Sequence, residues 1–350
     1  MRRRRIIPAL VALVFALVAA EAQELTLGVD VPSDLGATTI LGNQTARWSS
    51  GGWSLDFDGA AAGLTPDVNL DALEQLTTGG VLFSADAPFE VDGSTYEPRD
   101  VVRHEQGIFS LHVDGATLGL PASADIDALA RDAAGDLLLS LDAPTTVGLA
   151  TFAPGDVLRV HDGALTLLVS AAAMGLPAGT DVVGLDRTDD GTLYLQFDEP
   201  VTLGGTTYRP GDVVEYVDPG FALYFRDAAF PAGSVATDFS FPGSPGEVVD
   251  LLVARDGAQL DLSWGAGCGA AADYAVYEGA IGDWANRTPR TCSTNGATAA
   301  TIGPDAGDRY FLVVPLNGTF EGSYGRDSTG AERAAAAAAC VGQRRARACE

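Results

Sequence analysis

From Leu25 onward the chain runs in apolar stretches of four to six residues, each closed by Gly, Pro, Asp or Asn. Runs of that length bounded by turn formers read as strands, too short for helices. Residues 126 to 170 show the pattern well. Ile126 to Arg131 leads into a turn at Asp132 to Gly135, followed by Leu137 to Asp142, Val157 to His161, an Asp162-Gly163 turn and Leu165 to Ser170. The spacing predicts four strands, the last two joined by the two-residue Asp-Gly turn that hairpins favour.

The same pattern recurs at a fixed interval. One phrase reads GVDVP at 28–32, SADAP at 84–88, SLDAP at 140–144 and QFDEP at 196–200, so Asp30, Asp86, Asp142 and Asp198 stand 56 residues apart. A second holds the same register in Pro98-Arg99-Asp100, Pro154-Gly155-Asp156 and Pro210-Gly211-Asp212, with a degenerate Gly42-Asn43-Gln44 in front; a third is Gly63-Leu64, Gly119-Leu120 and Gly175-Leu176. Three phrases sharing one period without insertions define a structural repeat.

The ends of the repeat region define its closure. Leu25 to Asp30 matches the second strand of a unit and has no first strand before it; Val235 to Phe241 matches a first strand and has no second after it. Pairing the two ends would complete a split copy, the device by which a ring of β units removes its exposed edges. With the split copy there are four units. The region 23–245 thus resembles four-bladed β-propellers of the hemopexin-like type, without their sequence signatures. An open array of β units has the same period and remains the alternative.

From Gly246 the period stops. Leu260 to Trp264 reads as a strand ending in a core tryptophan, Asp273 to Gly279 as a second and Arg309 to Val314 as a third, with a Gly- and Ser-rich return at 317–328. The order of Trp, Tyr and a Tyr-x-Val strand resembles a fibronectin type III domain over about 246–330, and the Tyr-Phe-Leu-Val-Val-Pro and Glu-Gly-Ser-Tyr-Gly phrases are similar to the endings of exported bacterial proteins. The resemblance implies a β-sandwich and export, and no activity. The fold class expected is therefore all-β: four repeats, then a sandwich. The remaining 331–350 holds an alanine run, 334–339, expected to make a helical turn or two, and a basic Arg344, Arg345, Arg347 cluster expected to stay solvated; docking onto the acidic repeats is the alternative.

Composition adds the compartment. Arg2 to Arg5, the apolar run Ile6 to Ala20 and the small-x-small Ala20-Glu21-Ala22 have the form of a secretory signal peptide, which predicts removal of residues 1–22 and a secreted or otherwise extracytoplasmic protein. No later run is apolar and long enough to span a bilayer as a helix. All 21 basic residues are Arg against 47 acids, a formal net charge of −26. Residues 23–246 hold 33 acids against 8 Arg, so the charge is concentrated in the repeats. A field of that sign repels nucleic acid and anionic membranes and favours cationic partners. The four cysteines, Cys268, Cys292, Cys340 and Cys349, are even in number and read as disulfides; three connectivities are open, and proximity favours Cys268 with Cys292 and Cys340 with Cys349.

Reactive chemistry is sparse. The sequence holds no GxSxG elbow, HExxH helix, phosphate loop or EF-hand loop. His104, His112 and His161 fall at three different positions of the repeat and read as surface or packed residues. One constellation converges: Asn69, Asp125, Asp181 and, at the same spacing, Thr237 open the first strand of each unit, and Asp71 and Asp127 follow two residues on, facing the same way. Around a common axis these would offer hard oxygen ligands to Ca²⁺, though Asn and Asp also open strands simply by satisfying turn backbone. The expectation is an exported, non-catalytic binding or scaffold protein with a glycan or protein ligand. A secreted propeller-type hydrolase or lyase acting on polysaccharide through axial acids is the alternative.

Overall fold

The computed structural model describes residues 24–344 apart from 37, 50, 77–78, 190, 227–235, 243, 268–270, 329–330 and 332; the signal-peptide segment, Cys268 and Cys349 lie outside the described residues. The chain is all-β. The described residues of the repeats form four antiparallel four-stranded sheets, three of them each built from one continuous unit. In the third, Ile126–Arg131, Leu137–Leu141, Val157–His161 and Ala164–Val169 lie side by side in chain order. The second sheet holds Leu70–Gln75, Val81–Ala85, Val101–Glu105 and Ile108–Val113, and the fourth Val182–Arg187, Leu193–Phe197, Val213–Val217 and Gly220–Phe225. In each of these sheets the first two strands are buried almost throughout, while the fourth is largely exposed, so each sheet runs from a dry inner edge to a wet outer one.

Each unit also carries a small hairpin, and two of them a single helical turn, Gly59–Ala62 and Ala171–Met174. A hairpin of two three-residue strands, such as Phe89–Val91 with Ser94–Tyr96 or Val201–Leu203 with Thr206–Tyr208, sits between the second and third strands. Its aromatic and β-branched residues cap the cores between neighbouring sheets, as Tyr208 does against Leu193 and Phe197.

The first sheet is assembled from both ends of the region. Ala236–Ser240 pairs with Leu25–Val29, which pairs in turn with Gln44–Ser49 and Gly52–Asp58. The register of this closing pair departs from the 56-residue period. Leu129 opposes Leu139 in the third sheet, yet Leu27, 112 residues before Leu139, opposes Phe239 where strict repetition calls for Phe241. The closing strand has slipped by two residues. Gly28 makes room for the slip: Ser84 and Ser140 hold the corresponding positions and donate to the neighbouring strand, whereas a Cβ at Gly28 would lie 2.6 Å from Thr237 Oγ1.

Beyond the repeats, Leu252–Asp256, Gln259–Ser263 and Ala299–Ile302 form one sheet, and Arg287–Thr291, Asp273–Ala280, Arg309–Leu316, Phe320–Glu321 and Gly342–Gln343 a second, in that order. Leu262, Trp264 and Ile302 from the first share a core with Tyr274, Val276 and Val313 from the second. The tail corrects two expectations. Residues 334–339 are not helical; a single turn falls at 337–338, because Ala336 is buried against Ala275 and Tyr277 and six residues are too few to sustain a helix against that packing. The disulfide joins Cys292 to Cys340, across 48 residues, so neither pairing favoured by proximity forms. The tail crosses the second sheet, where Cys340 N–H donates to Tyr277 Oη at 2.8 Å, and that crossing brings Cys340 to the end of Arg287–Thr291.

Candidate functional site: an axial column of acids

The four innermost strands, Leu70–Gln75, Ile126–Arg131, Val182–Arg187 and Ala236–Ser240, surround a common line, and one side chain ties them together. Asp238 is fully buried, and its carboxylate accepts backbone N–H bonds from Leu73 (2.8 Å), Leu129 (2.9 Å), Leu185 (3.1 Å) and Phe239 (2.6 Å), the same position on all four strands once the slip is counted. Ala72, Ala128 and Gly184 stand where Asp238 stands on its own strand, and their small size leaves the centre to one carboxylate. Burial pushes its pKa well above the carboxylate range, while the four N–H bonds pull it back toward the ionised form.

On one side of Asp238 lies the group anticipated from the sequence. Asp125 and Asp181 open their strands, with Asp71 and Asp127 two residues inward. Burial, then the charges of Asp142 and Asp86, pushes Asp125 up to about 7; burial and Asp198 do the same to Asp181. Asp127, 7% exposed, is driven by burial and by Asp71 and Asp181 to about 10, and Asp71 is raised well above its ordinary value by burial and by Asp125. The carboxyls pair as Asp71 with Asp125 and Asp127 with Asp181. A carboxyl pair holds together only when one member keeps its proton. With all ionised, Asp125 Oδ1, Asp127 Oδ2 and Asp181 Oδ1 are buried with no donor.

The other two candidates behave differently. Asn69 donates to Asp86 Oδ2 at 3.1 Å, a rim contact. Thr237 does not complete the ring of strand-opening residues: the slip sets it level with Asp71 and Asp127, and its Oγ1 is turned toward Gly28. Among the described residues no three His, Cys, Asp or Glu side chains converge closely enough to cage a metal. His104 packs against Phe57 and Phe109, and His161 meets Asp136 at 2.9 Å, both away from the axis. The columns of Asp100, Asp156 and Asp212 are structural: Asp100 accepts from Glu97 and Gly115, Asp156 from Ala153 and Ala171, and Asp212 from Arg209 N–H and the Arg226 guanidinium.

On the opposite side of Asp238 the acids are matched. Glu74 and Asp186, both fully buried, meet Arg131 and Arg344. Arg344 comes from the tail, is 1% exposed and lies with its guanidinium 5.5 Å from the Phe320 ring centre, so this member of the basic cluster docks onto the repeats and does not stay solvated. The axis therefore has a neutralised end and an end rich in unmatched acids. Glu74, Asp186 and Asp238 are not among the sequence candidates, and Arg344 enters there only within the basic tail cluster, whose docking onto the acidic repeats was the alternative reading.

No family model matches the chain, and no curated protein matches it. Solved structures that align with it include the extracellular domain of a proposed one-component system from B. thetaiotaomicron (9% identity, TM-score 0.22, 85% of this chain and 61% of that one) and a protein of unknown function from Bacteroides caccae (10%, 0.22, 85% and 83%). A third is PorZ, a surface component of the type-IX secretion system of Porphyromonas gingivalis (10%, 0.27, 79% and 47%). This chain spans less than two thirds of the first and third of these, and scores of this size fix neither its fold nor its activity.

Proposed function

We propose that the chain is an exported, non-catalytic binding protein: a closed four-bladed β-propeller over 23–245, a fibronectin type III-like sandwich over 246–330, and a tail that locks the two together. The propeller reading rests on four sheets whose inner strands share Asp238, with both ends of the region in one sheet. The Cys292–Cys340 bond is of the kind that persists in an oxidising compartment, in keeping with export. The observation that carries the binding role is the acid-rich side of the axis, where Asp71, Asp125, Asp127 and Asp181 face one another and, among the described residues, no basic side chain pairs with them. Such a mouth attracts a positively charged ligand: calcium held in part through water, or a cationic group of a partner glycan or protein.

A second reading, hydrolysis of polysaccharide, is favoured by the split between carboxyls titrating at about 7 and at about 10, the separation an acid and a base need. Against it stands the burial of Asp127 below the surface that a sugar chain could reach.

A thermal-shift screen at pH 7.5 tests the reading, using calcium, magnesium, EDTA, cationic peptides and soluble polysaccharides. A ligand at about a hundred times its Kd should add about 2.7 kcal/mol. A cation-dependent shift lost in Asp125→Asn/Asp181→Asn supports the mouth as the site. A polysaccharide shift unchanged in that variant moves the partner elsewhere on the molecule, and a flat screen overturns the proposal.

A further inference from the structure

The neutralised end of the axis is built by the repeats and filled by the tail. Glu74 is held by Ser240 Oγ at 3.0 Å and by Arg131 Nε at 3.1 Å; Asp186 accepts N–H bonds from Arg187 at 2.6 Å and Phe241 at 3.0 Å. None of these partners belongs to the tail, so both carboxylates are fixed in place by the repeat region. With only Arg131 present, the two acids would carry one uncompensated negative charge in a fully buried setting, a costly arrangement.

Arg344 supplies the missing charge. Its Nη1 meets Asp186 Oδ2 at 2.8 Å, its Nη2 meets Glu74 Oε1 at 3.5 Å, and its guanidinium lies over Phe320. The two residues before it add a strand: Gly342–Gln343 runs parallel to Phe320–Glu321, Arg344 N–H donates to Glu321 O at 2.7 Å, and Ser244 Oγ donates to Arg344 O at 2.7 Å. An extended segment added to a short strand with one deep anchoring side chain is a recurrent way of recognising a peptide.

We propose that this end of the axis is a peptide-binding site occupied in cis, specific for an extended segment whose arginine enters the pocket of Glu74, Asp186 and Phe320. The tail is the tethered ligand. The Cys292–Cys340 bond, four residues before Arg344, keeps it at high local concentration, so the site is closed to other peptides while that tether holds. The inference does not depend on what binds at the mouth.

The test cuts the folded, full-length protein at a protease site inserted after the exposed Ser328, then reduces it so that the C-terminal fragment can leave. A labelled synthetic peptide spanning residues 336–345, with serine for cysteine, should bind, and its Arg344→Ala version should bind at least about tenfold more weakly, a difference of about 1.4 kcal/mol. Equal binding of both peptides, or of neither, overturns the proposal. If the cut protein unfolds on reduction, the uncut Arg344→Ala chain decides. Millimolar ethylguanidinium should raise its Tm and leave the parent unchanged, ethylammonium should not substitute, and absence of that rescue in a folded variant overturns the proposal equally.

Discussion

Arg344 and Asp186 are 158 residues apart in the chain and meet at 2.8 Å with neither side chain accessible to water. The contact joins the last described residue of the tail to the inner strand of the fourth sheet, and so couples the folding of the two halves. Removing one member of a buried pair leaves the other charged and unpaired, at a cost of about 3 to 5 kcal/mol. Arg344→Ala should therefore lower Tm strongly. Arg344→Ala combined with Asp186→Asn should recover part of the loss, because the remaining buried charges, Glu74 and Arg131, then balance each other. Thermal unfolding by circular dichroism reads both, and an Arg344→Ala protein as stable as the parent would remove the coupling.

Asp238 should be the least replaceable residue of the repeat region. Asp238→Ala strands four buried N–H groups, each worth about 1 to 3 kcal/mol, against a total stability on the order of 5 to 15 kcal/mol. The expected outcome is failure to fold. Asp238→Asn keeps one accepting oxygen and loses the other, and should fold with a clearly lower Tm. Expression and circular dichroism distinguish the two.

The mouth makes stability depend on pH in an unusual direction for an acidic protein. Asp125 and Asp181 hold their protons up to about 7 in the folded chain and Asp127 to about 10, while in the unfolded chain all three release them near 4. Between those limits the folded state binds more protons, so stability falls as pH rises. Tm should drop by roughly 5 °C from pH 5 to pH 8 in EDTA, allowing for the partial exposure of Asp125 and Asp181. Asp127→Asn should flatten the slope. A cation bound at the mouth would restore Tm at pH 8 and leave it unchanged at pH 5.

The Cys292–Cys340 bond closes a loop of 48 residues, for which chain entropy alone predicts about 4 kcal/mol, an upper figure for a native bridge. Cys292→Ser with Cys340→Ser should lower Tm and increase the rate at which protease removes the tail. The strands of the four repeat sheets should be less affected, which hydrogen exchange resolved by peptide can establish.

Much of the strand layout was legible because period and turn chemistry agreed. Ile126–Arg131, Leu137–Leu141 and Val157–His161 fall where the apolar runs placed them. The small hairpins were not, since three residues such as Phe89–Val91 are too short to show alternation. Of the site, Asp71, Asp125, Asp127 and Asp181 were visible as a column. Thr237 was misaligned because a strict 56-residue spacing cannot reveal a two-residue slip, and the same slip hid Asp238 by matching it to Leu70, Ile126 and Val182 in place of Ala72, Ala128 and Gly184. The charge contrast between basic tail and acidic repeats allowed the docking of Arg344 as an alternative, but local pattern could not rank it above a solvated tail, nor choose the cysteine pairing, because these contacts span 158 and 48 residues.

The slip of the closing strand also bears on how identical parts avoid confusion. Units that repeat without insertion are interchangeable in principle, and a ring of them could close on a neighbour's unit, or one unit early, at little cost. The displaced strand with its single carboxylate works as a key cut for one lock. Only Ala236–Ser240 brings an acid to a centre that three other strands leave empty, and only beside Gly28 is there space for its Thr237. A chain that paired its last repeat strand anywhere else would leave those backbone donors buried and unmet.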